Sequence, residues 1–214
     1  MLEQQKILDE LIERYPVLSV CKNDIWQAYM YVSDSFMRGG KLLVAGNGGS
    51  AADAEHIVGE LMKGFSKRRN LDHDMKNKIK AIDPELGESL CSNLQGALPA
   101  IALTGHVALS TACANDLDSA AGFAQQVFGY GNEKDIFMGI TTSGNSRNIL
   151  NAIVIAKAKG LKTVILTGGD GGQAGRMAEL SIIVPATETY KVQELHLPIY
   201  HALCLMLEEH FFES

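Results

Sequence analysis

The spacing of apolar residues changes near residue 40. Before that point apolar residues recur every three or four positions, which predicts amphipathic helices over residues 2–15 and 22–38. Pro16 would end the first helix, and Gly39 with Gly40 the second. We therefore expect an N-terminal helical arm over residues 1–38. Such an arm packs either on a partner subunit or on its own domain, and the pattern does not choose between them.

From residue 41 onward, short continuous apolar runs alternate with helical stretches. The predicted strands cover residues 41–46, 98–104, 135–141, 162–168 and 180–185. The predicted helices cover residues 51–65, 107–114, 147–160, 174–179 and 189–212, the last one bent or interrupted near Pro198. This alternation predicts a single α/β domain over residues 1–214: a three-layer α/β/α sandwich around a five-stranded parallel sheet. Ligand sites are expected at the carboxyl ends of the strands.

Residues 66–97 differ from the rest of the domain. They are polar and of mixed charge, and they join a helix to a strand, where a short connection would suffice. We predict an inserted, partly helical segment that acts as a lid. The alternative is a solvated surface excursion without a role.

Charge and composition narrow the class of protein. The net charge of −6 argues weakly against nucleic-acid binding, which needs a basic face. No apolar run reaches the roughly 18 residues of a membrane span, and the charged, amphipathic N-terminus is not a secretory signal. None of the four cysteines lies in a CxxC pair, so reduced thiols are expected rather than disulfides or a thiolate metal site. A cytoplasmic protein with no membrane partner is the expectation.

A glycine-rich turn follows the first predicted strand. Asn47, Gly48, Gly49 and Ser50 let backbone N–H groups approach a ligand at the start of a helix, where the partial charge is positive. This arrangement suits a phosphate group. Glycine-rich turns of this kind also occur for packing reasons alone.

A second turn of similar chemistry follows the third predicted strand. Thr141, Thr142, Ser143 and Ser146 place four hydroxyl groups around a glycine at another helix start. A simple helix cap needs fewer hydroxyls than this. Two such turns in one sheet predict a phosphate site, whereas the third glycine-rich turn, over 167–172, is interpreted as structural.

Side chains that can act as nitrogen or oxygen ligands follow on two helices. His56 and Glu60 are four residues apart and share a helix face, and Gln193 and His201 lie on the terminal helix. Together they form a plausible nitrogen and oxygen ligand set for zinc or a similar divalent ion. The alternatives are a surface pair at His56 and Glu60 and a core histidine at 201. Gln193 and His201 are also eight residues apart, about 12 Å along a straight helix, so one site needs a bend, reaching side chains or two subunits.

These motifs together resemble a known family. GNGGSAADAEH with the Glu60 that follows, LPAIALT, Asn115–Asp116, TTSGNS, LTGGDGG and VQELH with a later histidine occur in this order. The chain is thereby similar, from about residue 20 to its end, to the phosphoheptose isomerases of the SIS superfamily. The resemblance implies a flavodoxin-like SIS fold.

The resemblance also implies an activity and its residues. It implies conversion of D-sedoheptulose 7-phosphate to D-glycero-D-manno-heptose 7-phosphate through an enediol, in a homotetramer with sites between subunits. Glu60 and His201 match the catalytic base and acid, and His56, Glu60, Gln193 and His201 match the zinc positions. The matching substrate positions are Asn47, Gly48, Gly49, Ser50, Asp116, Thr141, Thr142, Ser143, Ser146 and Gln193.

Two departures from the family pattern affect the substrate more than the reaction. An arginine that usually follows the catalytic glutamate is absent, and Lys63, Arg68 or Arg69 are the candidates to replace it. The usual short linker is replaced by residues 66–97. The alternatives are a non-catalytic SIS protein that binds sugar phosphate or associates with a replication initiator, and an isomerase of another ketose phosphate. The presence of both Glu60 and His201 favours an enzyme.

Overall fold

Five parallel strands form one sheet in the order β2-β1-β3-β4-β5. The strands are β1 (Leu42–Gly46), β2 (Ala100–Ala102), β3 (Ile136–Thr141), β4 (Lys162–Gly168) and β5 (Leu180–Val184). This is a computed structural model, and it describes residues 2–212. Residues of β1 and β3 are buried throughout, as expected for strands that are covered on both faces.

Ten α-helices surround the sheet within the described residues. They are α1 (Leu2–Arg14), α2 (Lys22–Met37), α3 (Gly49–Met62), α4 (His73–Ile82), α5 (Pro84–Asn93), α6 (Val107–Asp116), α7 (Gly122–Tyr130), α8 (Arg147–Ala158), α9 (Gly172–Met177) and α10 (Thr189–Phe211). Helices α1, α2, α3 and α10 enclose the core on one face, and α7, α8 and α9 enclose the core on the other. The predicted three-layer α/β/α fold with a five-stranded parallel sheet is confirmed.

The N-terminal arm packs on its own domain. Leu8 and Leu11 of α1 are buried in the same core cluster as Leu203 of α10. A short 3-10 helix, Pro16–Cys21, joins α1 to α2. The arm therefore covers one face of the chain's own C-terminal helix.

Two helix predictions need correction. Helix α7 was not predicted, because glycines at 122, 129 and 131 obscure its apolar pair, Phe123 and Val127. Helix α10 is continuous through Pro198, where an interruption was predicted as one alternative. A continuous helix holds Gln193 and His201 about two turns apart.

Residues 66–97 form an inserted segment whose two ends lie close together. Helices α4 and α5 form a hairpin in which Gly87 packs so closely that a methyl group there would lie 2.8 Å from the Lys80 Cα atom. At its base, the Gly96 N–H donates to the Arg69 carbonyl at 2.7 Å. The segment is partly helical, as predicted, and leaves from the C-terminal end of α3. Its action as a lid stays a prediction.

Across residues 2–212, no helix combines the length and apolar character that crossing a bilayer requires. All four cysteines are free, and three of them are buried.

Candidate active site

The two predicted phosphate turns meet where the strand order reverses. Asn47–Ser50 follow β1 and Thr141–Ser146 follow β3, and these two strands are neighbours whose following helices, α3 and α8, pack on opposite faces of the sheet. The turns open a cleft of about 300 Å³ between them. The residues that line it are Asn47, Gly48, Gly49, Ser50, Ile140, Thr141, Thr142, Ser146, Thr189 and Gln193.

A reciprocal pair of amides ties the two turns together. Asn47 Nδ2 donates to Asn148 Oδ1 at 3.0 Å, and Asn148 Nδ2 donates back to Asn47 Oδ1 at 2.8 Å. Within the second turn, the Thr141 and Ser146 hydroxyl oxygens are 3.0 Å apart. Asn148 and Thr189 were not among the predicted site residues, although Asn148 is only two positions beyond Ser146.

The third glycine-rich turn, over residues 167–172, and the start of α9 pack against the second turn. The Ala174 N–H donates to the Gly144 carbonyl at 2.8 Å, and the Gln173 N–H donates to Asn145 Oδ1 at 3.1 Å. Gly144 has a φ of 66°, and a methyl group there would lie 2.0 Å from the Gly171 carbonyl oxygen. The structural interpretation of residues 167–172 therefore becomes specific: this turn supports the conformation of the second predicted phosphate turn.

Two predicted substrate residues lie outside the cleft lining. Ser143 is exposed, and its hydroxyl accepts a hydrogen bond from the Asn145 N–H at 3.2 Å. Asp116 is exposed at the end of α6 and accepts a hydrogen bond from Asn115 at 2.7 Å. Substrate contact by either residue stays a prediction.

Helices α3 and α10 run parallel and remain in register. A methyl group on Gly49 would lie 2.6 Å from Gln193 Nε2, and seven residues further along each helix His56 contacts Tyr200. The residue numbers of the two partners differ by the same amount in both contacts, because the two helices rise equally per residue. One end of this helix pair therefore borders the cleft between the two predicted phosphate turns, and its middle carries the predicted reacting groups.

His56 is central to that second cluster. Its Nε2 atom lies 3.3 Å from Glu60 Oε1, and its ring centre is 5.0 Å from the ring centre of His201. Only 14% of the Glu60 side chain is exposed, so its carboxylate is sheltered from solvent. The structure thus brings together three of the four residues predicted as metal ligands, including both predicted catalytic residues.

Tyr200 and Asp53 extend the cluster, and the sequence analysis did not predict either of them as a site residue. The Tyr200 hydroxyl donates to Asp53 Oδ1 at 3.1 Å and is also 3.1 Å from His56 Nδ1. Because the hydroxyl carries one hydrogen, donation to Asp53 leaves its oxygen to accept from a proton on His56 Nδ1. Burial raises the pKa of Asp53, opposed by the Tyr200 hydrogen bond and the charge of His56. Asp53 precedes His56 by one helical turn, which was the available signal.

His201 has an unused nitrogen. Its Nε2 atom is buried and has no hydrogen-bond partner among the described residues. Burial lowers the pKa of His201, and the nearby charge of His56 lowers it further while Glu60 opposes both. The ring also lines a cavity of about 240 Å³ between α1 and α10, beside Glu10 and Arg14. The lowered pKa favours the neutral imidazole, and proton transfer by His201 stays a prediction.

The four residues predicted to bind zinc do not fit a site within one chain. Gln193 lies beside Gly49, about two helical turns from His201. His56, Glu60 and His201 are neighbours, but among residues 2–212 no three side chains of the types His, Cys, Asp or Glu converge as they would around one ion. Zinc stays a prediction.

The three candidates for the missing arginine have different positions. Lys63 Nζ is 3.5 Å from Glu60 Oε2, so it places a positive charge beside that carboxylate. Arg68 donates to the Ser92 carbonyl at 3.1 Å, and Arg69 is buried with only 1% exposed. Of the three, only Lys63 has its charged group at the Glu60 carboxylate.

Comparison with known proteins agrees with this geometry. The model of the SIS domain family matches residues 84–168. The chain is 37% identical over 211 residues to the phosphoheptose isomerase of Leptospira biflexa, covering 99% of this chain and 96% of that one. It is 38% identical over 179 residues to the phosphoheptose isomerase of Aneurinibacillus thermoaerophilus, covering 84% and 77%.

Solved structures give the same result. A phosphoheptose isomerase from Francisella tularensis superposes with a TM-score of 0.74 at 32% identity, covering 96% of each chain. The enzyme from Neisseria gonorrhoeae superposes with a TM-score of 0.72 at 29% identity, covering 97% of this chain and 94% of that one. With the paired phosphate turns and the Glu60–His201 cluster in place, these similarities show that the chain belongs to the phosphoheptose isomerase family.

Proposed function

We propose that the protein converts D-sedoheptulose 7-phosphate to D-glycero-D-manno-heptose 7-phosphate as an aldose–ketose isomerase. The observation that carries the proposal is the pairing of a sheltered carboxylate, Glu60, with an unpartnered imidazole nitrogen, on His201, through their common neighbour His56. An isomerase needs these two kinds of proton carrier.

The cleft between the two turns would hold the phosphate group. It offers hydroxyls from Ser50, Thr141, Thr142 and Ser146, together with backbone N–H groups at the start of α3. These are neutral donors, which match the acceptor oxygens of a phosphomonoester. The ligand would therefore be anchored at one end, leaving the open-chain sugar to reach the reacting groups.

The reaction moves two protons. Glu60 removes the proton from C1 of the ketose, and the electron pair of that bond forms the C1–C2 double bond of an enediol as the C2 oxygen takes a proton from His201. His201 then accepts the proton of the C1 hydroxyl, and Glu60 returns its proton to C2, leaving the aldehyde at C1. Both residues end in their starting state, so the cycle is balanced.

We further propose that complete sites form between subunits of a homotetramer. Gln193 and His201 are about 12 Å apart along one continuous α10. A site that uses both at short range is therefore supported better by two chains than by one. We also propose a cytoplasmic location, which the four free cysteines support.

The test is an isomerase assay with sedoheptulose 7-phosphate, following the aldose product, on the wild-type protein and Glu60→Gln. We expect turnover by the wild type and a loss of about 10²–10⁴-fold in kcat for Glu60→Gln, which keeps the shape but cannot take a proton at neutral pH. The amide should leave the phosphate cleft intact, so the substrate should still raise the melting temperature of the variant.

Further measurements distinguish this isomerase from a binding protein and from an isomerase of another ketose phosphate. Wild-type protein that is stabilised by sugar phosphates but converts none would support a binding protein instead. Turnover of another ketose phosphate at higher kcat/KM would change the substrate but not the reaction. The same assay after chelation and after zinc addition tests the predicted metal, and the mass in solution tests the tetramer.

A further inference from the structure

A buried ion pair closes the end of α3 that carries Glu60. Arg69 and Glu208 are each only 1% exposed, and Arg69 Nε donates to Glu208 Oε1 at 2.8 Å. The Glu208 carboxylate also accepts from the backbone N–H groups of Phe65 at 2.8 Å, Ser66 at 2.8 Å and Lys67 at 3.1 Å. One carboxylate on α10 thus holds the chain segment that follows α3.

Arg69 makes two more hydrogen bonds, and both go to the last turn of α3. Its Nη2 atom donates to the Glu60 carbonyl at 2.8 Å and its Nη1 atom to the Leu61 carbonyl at 2.6 Å. The residue after the helix, Lys63, is extended, with φ −142° and ψ 174°. The chain therefore does not fold back at this end in the usual way. The Arg69 side chain satisfies the Glu60 carbonyl, and the Leu61 carbonyl accepts from both Arg69 and the Leu98 N–H at 2.9 Å.

The arrangement links the two proposed catalytic residues. Glu60 precedes the capped end of α3, and Glu208 lies two turns beyond His201 on α10. Arg69 contacts the main chain of Glu60 and the side chain of Glu208. The pair thus fixes α3 against α10 at the place where the Glu60 carboxylate must meet the substrate.

We propose that Arg69 and Glu208 form a positioning unit that sets the geometry of the Glu60 carboxylate for proton transfer. The inference rests on the proposed function, because it assumes Glu60 as the base. A buried ion pair is a weak device for stability, since well-packed apolar residues of similar volume often serve as well or better. What apolar residues cannot replace is the pair of hydrogen bonds to the Glu60 and Leu61 carbonyls.

The decisive variant is the double substitution Arg69→Met/Glu208→Leu. Removing both charges avoids the cost of one buried and unpaired charge, so the variant should fold with a melting temperature above that of Arg69→Met alone. We expect kcat to fall about 10–100-fold, because small misplacement of a catalytic group is costly. KM and stabilisation by substrate should change less than about twofold, since the phosphate cleft lies at the other end of α3.

A matched control is available far from the site. Lys41 pairs with the buried carboxylate of Asp135 at 2.6 Å, at the amino ends of β1 and β3. Lys41→Met leaves that carboxylate without its charged partner and should lower the melting temperature without lowering kcat. A comparable fall in kcat in this control would show that general destabilisation accounts for the effect, and it would overturn the proposal.

The conservative variant Arg69→Lys gives a second measurement should the double variant fail to fold. Lysine keeps the charge beside Glu208 but lacks the planar fork that reaches both carbonyls, so kcat should fall while the melting temperature stays near the wild-type value. Wild-type kcat in folded Arg69→Lys or in the folded double variant would overturn the positioning role. These outcomes are distinct from failure of the proposed function, which would appear as no turnover by the wild type or as full activity in Glu60→Gln.

Discussion

At the scale of single residues, His56 contacts both proposed catalytic residues and Tyr200. Glu60 lies on one side of its ring, Tyr200 on the other, and His201 packs against its edge. His56 and Glu60 were predicted from their spacing on one helix face together with the family resemblance. Tyr200 was not, because a tyrosine within an apolar run is typical of a core residue. Its hydroxyl gains a role only when α3 lies alongside α10.

A different histidine, His196, provides a test by pH. It is fully buried on α10, and neither ring nitrogen has a hydrogen-bond partner among the described residues. Burial lowers the pKa of His196 to about 4, partly opposed by the nearby Thr167 carbonyl. The unfolded chain therefore binds this proton more readily than the folded chain does, and the folded state is destabilised as pH falls.

We predict that His196 contributes to acid destabilisation between about pH 6.5 and pH 4. Its contribution is fully present above about pH 6.5 and is lost as the pH approaches 4. Between pH 7.5 and 4.5 the loss should be about 2–3 kcal/mol. Urea unfolding of wild type and His196→Leu at both pH values measures it. An equal pH dependence in the two proteins would show that His196 does not contribute.

At the scale of elements, the register of α3 against α10 positions both parts of the site. The strands and these helices were predictable because apolar periodicity is local information. The continuity of α10 through Pro198 was not, since a proline tends to break a helix and only packing on both sides compensates. Likewise, the role of residues 167–172 depends on contacts with a turn that is distant in sequence.

Two glycines on α3 distinguish the effect of side-chain packing from the effect of helix propensity. Gly49 faces Gln193 so closely that a methyl group would lie 2.6 Å from the amide nitrogen, whereas a methyl group on Gly59 meets no atom within 4 Å. We expect Gly49→Ala to displace Gln193 and raise KM for the sugar phosphate several-fold. Gly59→Ala should leave KM unchanged and stabilise the protein by about 0.5–1 kcal/mol.

Steady-state kinetics and urea unfolding of both variants test this contrast. An unchanged KM in folded Gly49→Ala would show that Gln193 does not need its place beside the cleft.

At the scale of the whole molecule, the α4–α5 hairpin is an addition whose two ends meet. Arg69 and Gly96 are joined by a backbone hydrogen bond, and Gln95 Oε1 accepts from the N–H groups of Gly64 and Arg69. The sequence predicted an inserted, partly helical segment from its polarity and length. It could not show that Arg69, within the predicted insertion, caps the helix that carries Glu60, because this contact arises only in the folded chain.

We predict that residues 71–94 can be replaced by two glycines without loss of the fold. The hairpin's closest packing, at Gly87, is internal, so the melting temperature should change by less than about 5 °C. The longer deletion of 69–95 is the matched control. It removes Arg69 and Gln95 and should prevent cooperative unfolding or sharply lower the melting temperature.

Thermal unfolding of the two deletions measures the difference. Failure of the shorter deletion to fold would show that the hairpin is integral to the domain. The kinetics of the shorter deletion also test the lid prediction. Loss of turnover in a stable, folded protein without residues 71–94 would support a lid.

The uncharged lining of the phosphate cleft has a consequence for ionic strength. All the described side chains that border it are neutral, whereas the chain as a whole carries a net charge of −6. A site built from lysine or arginine attracts its anion over long distances, and added salt weakens that attraction. Here the substrate should be captured by hydrogen bonds at contact, against a mild overall repulsion. We therefore expect KM to stay constant or fall slightly between about 20 and 300 mM salt. An enzyme of this design would bind its substrate equally well in dilute and in concentrated electrolyte.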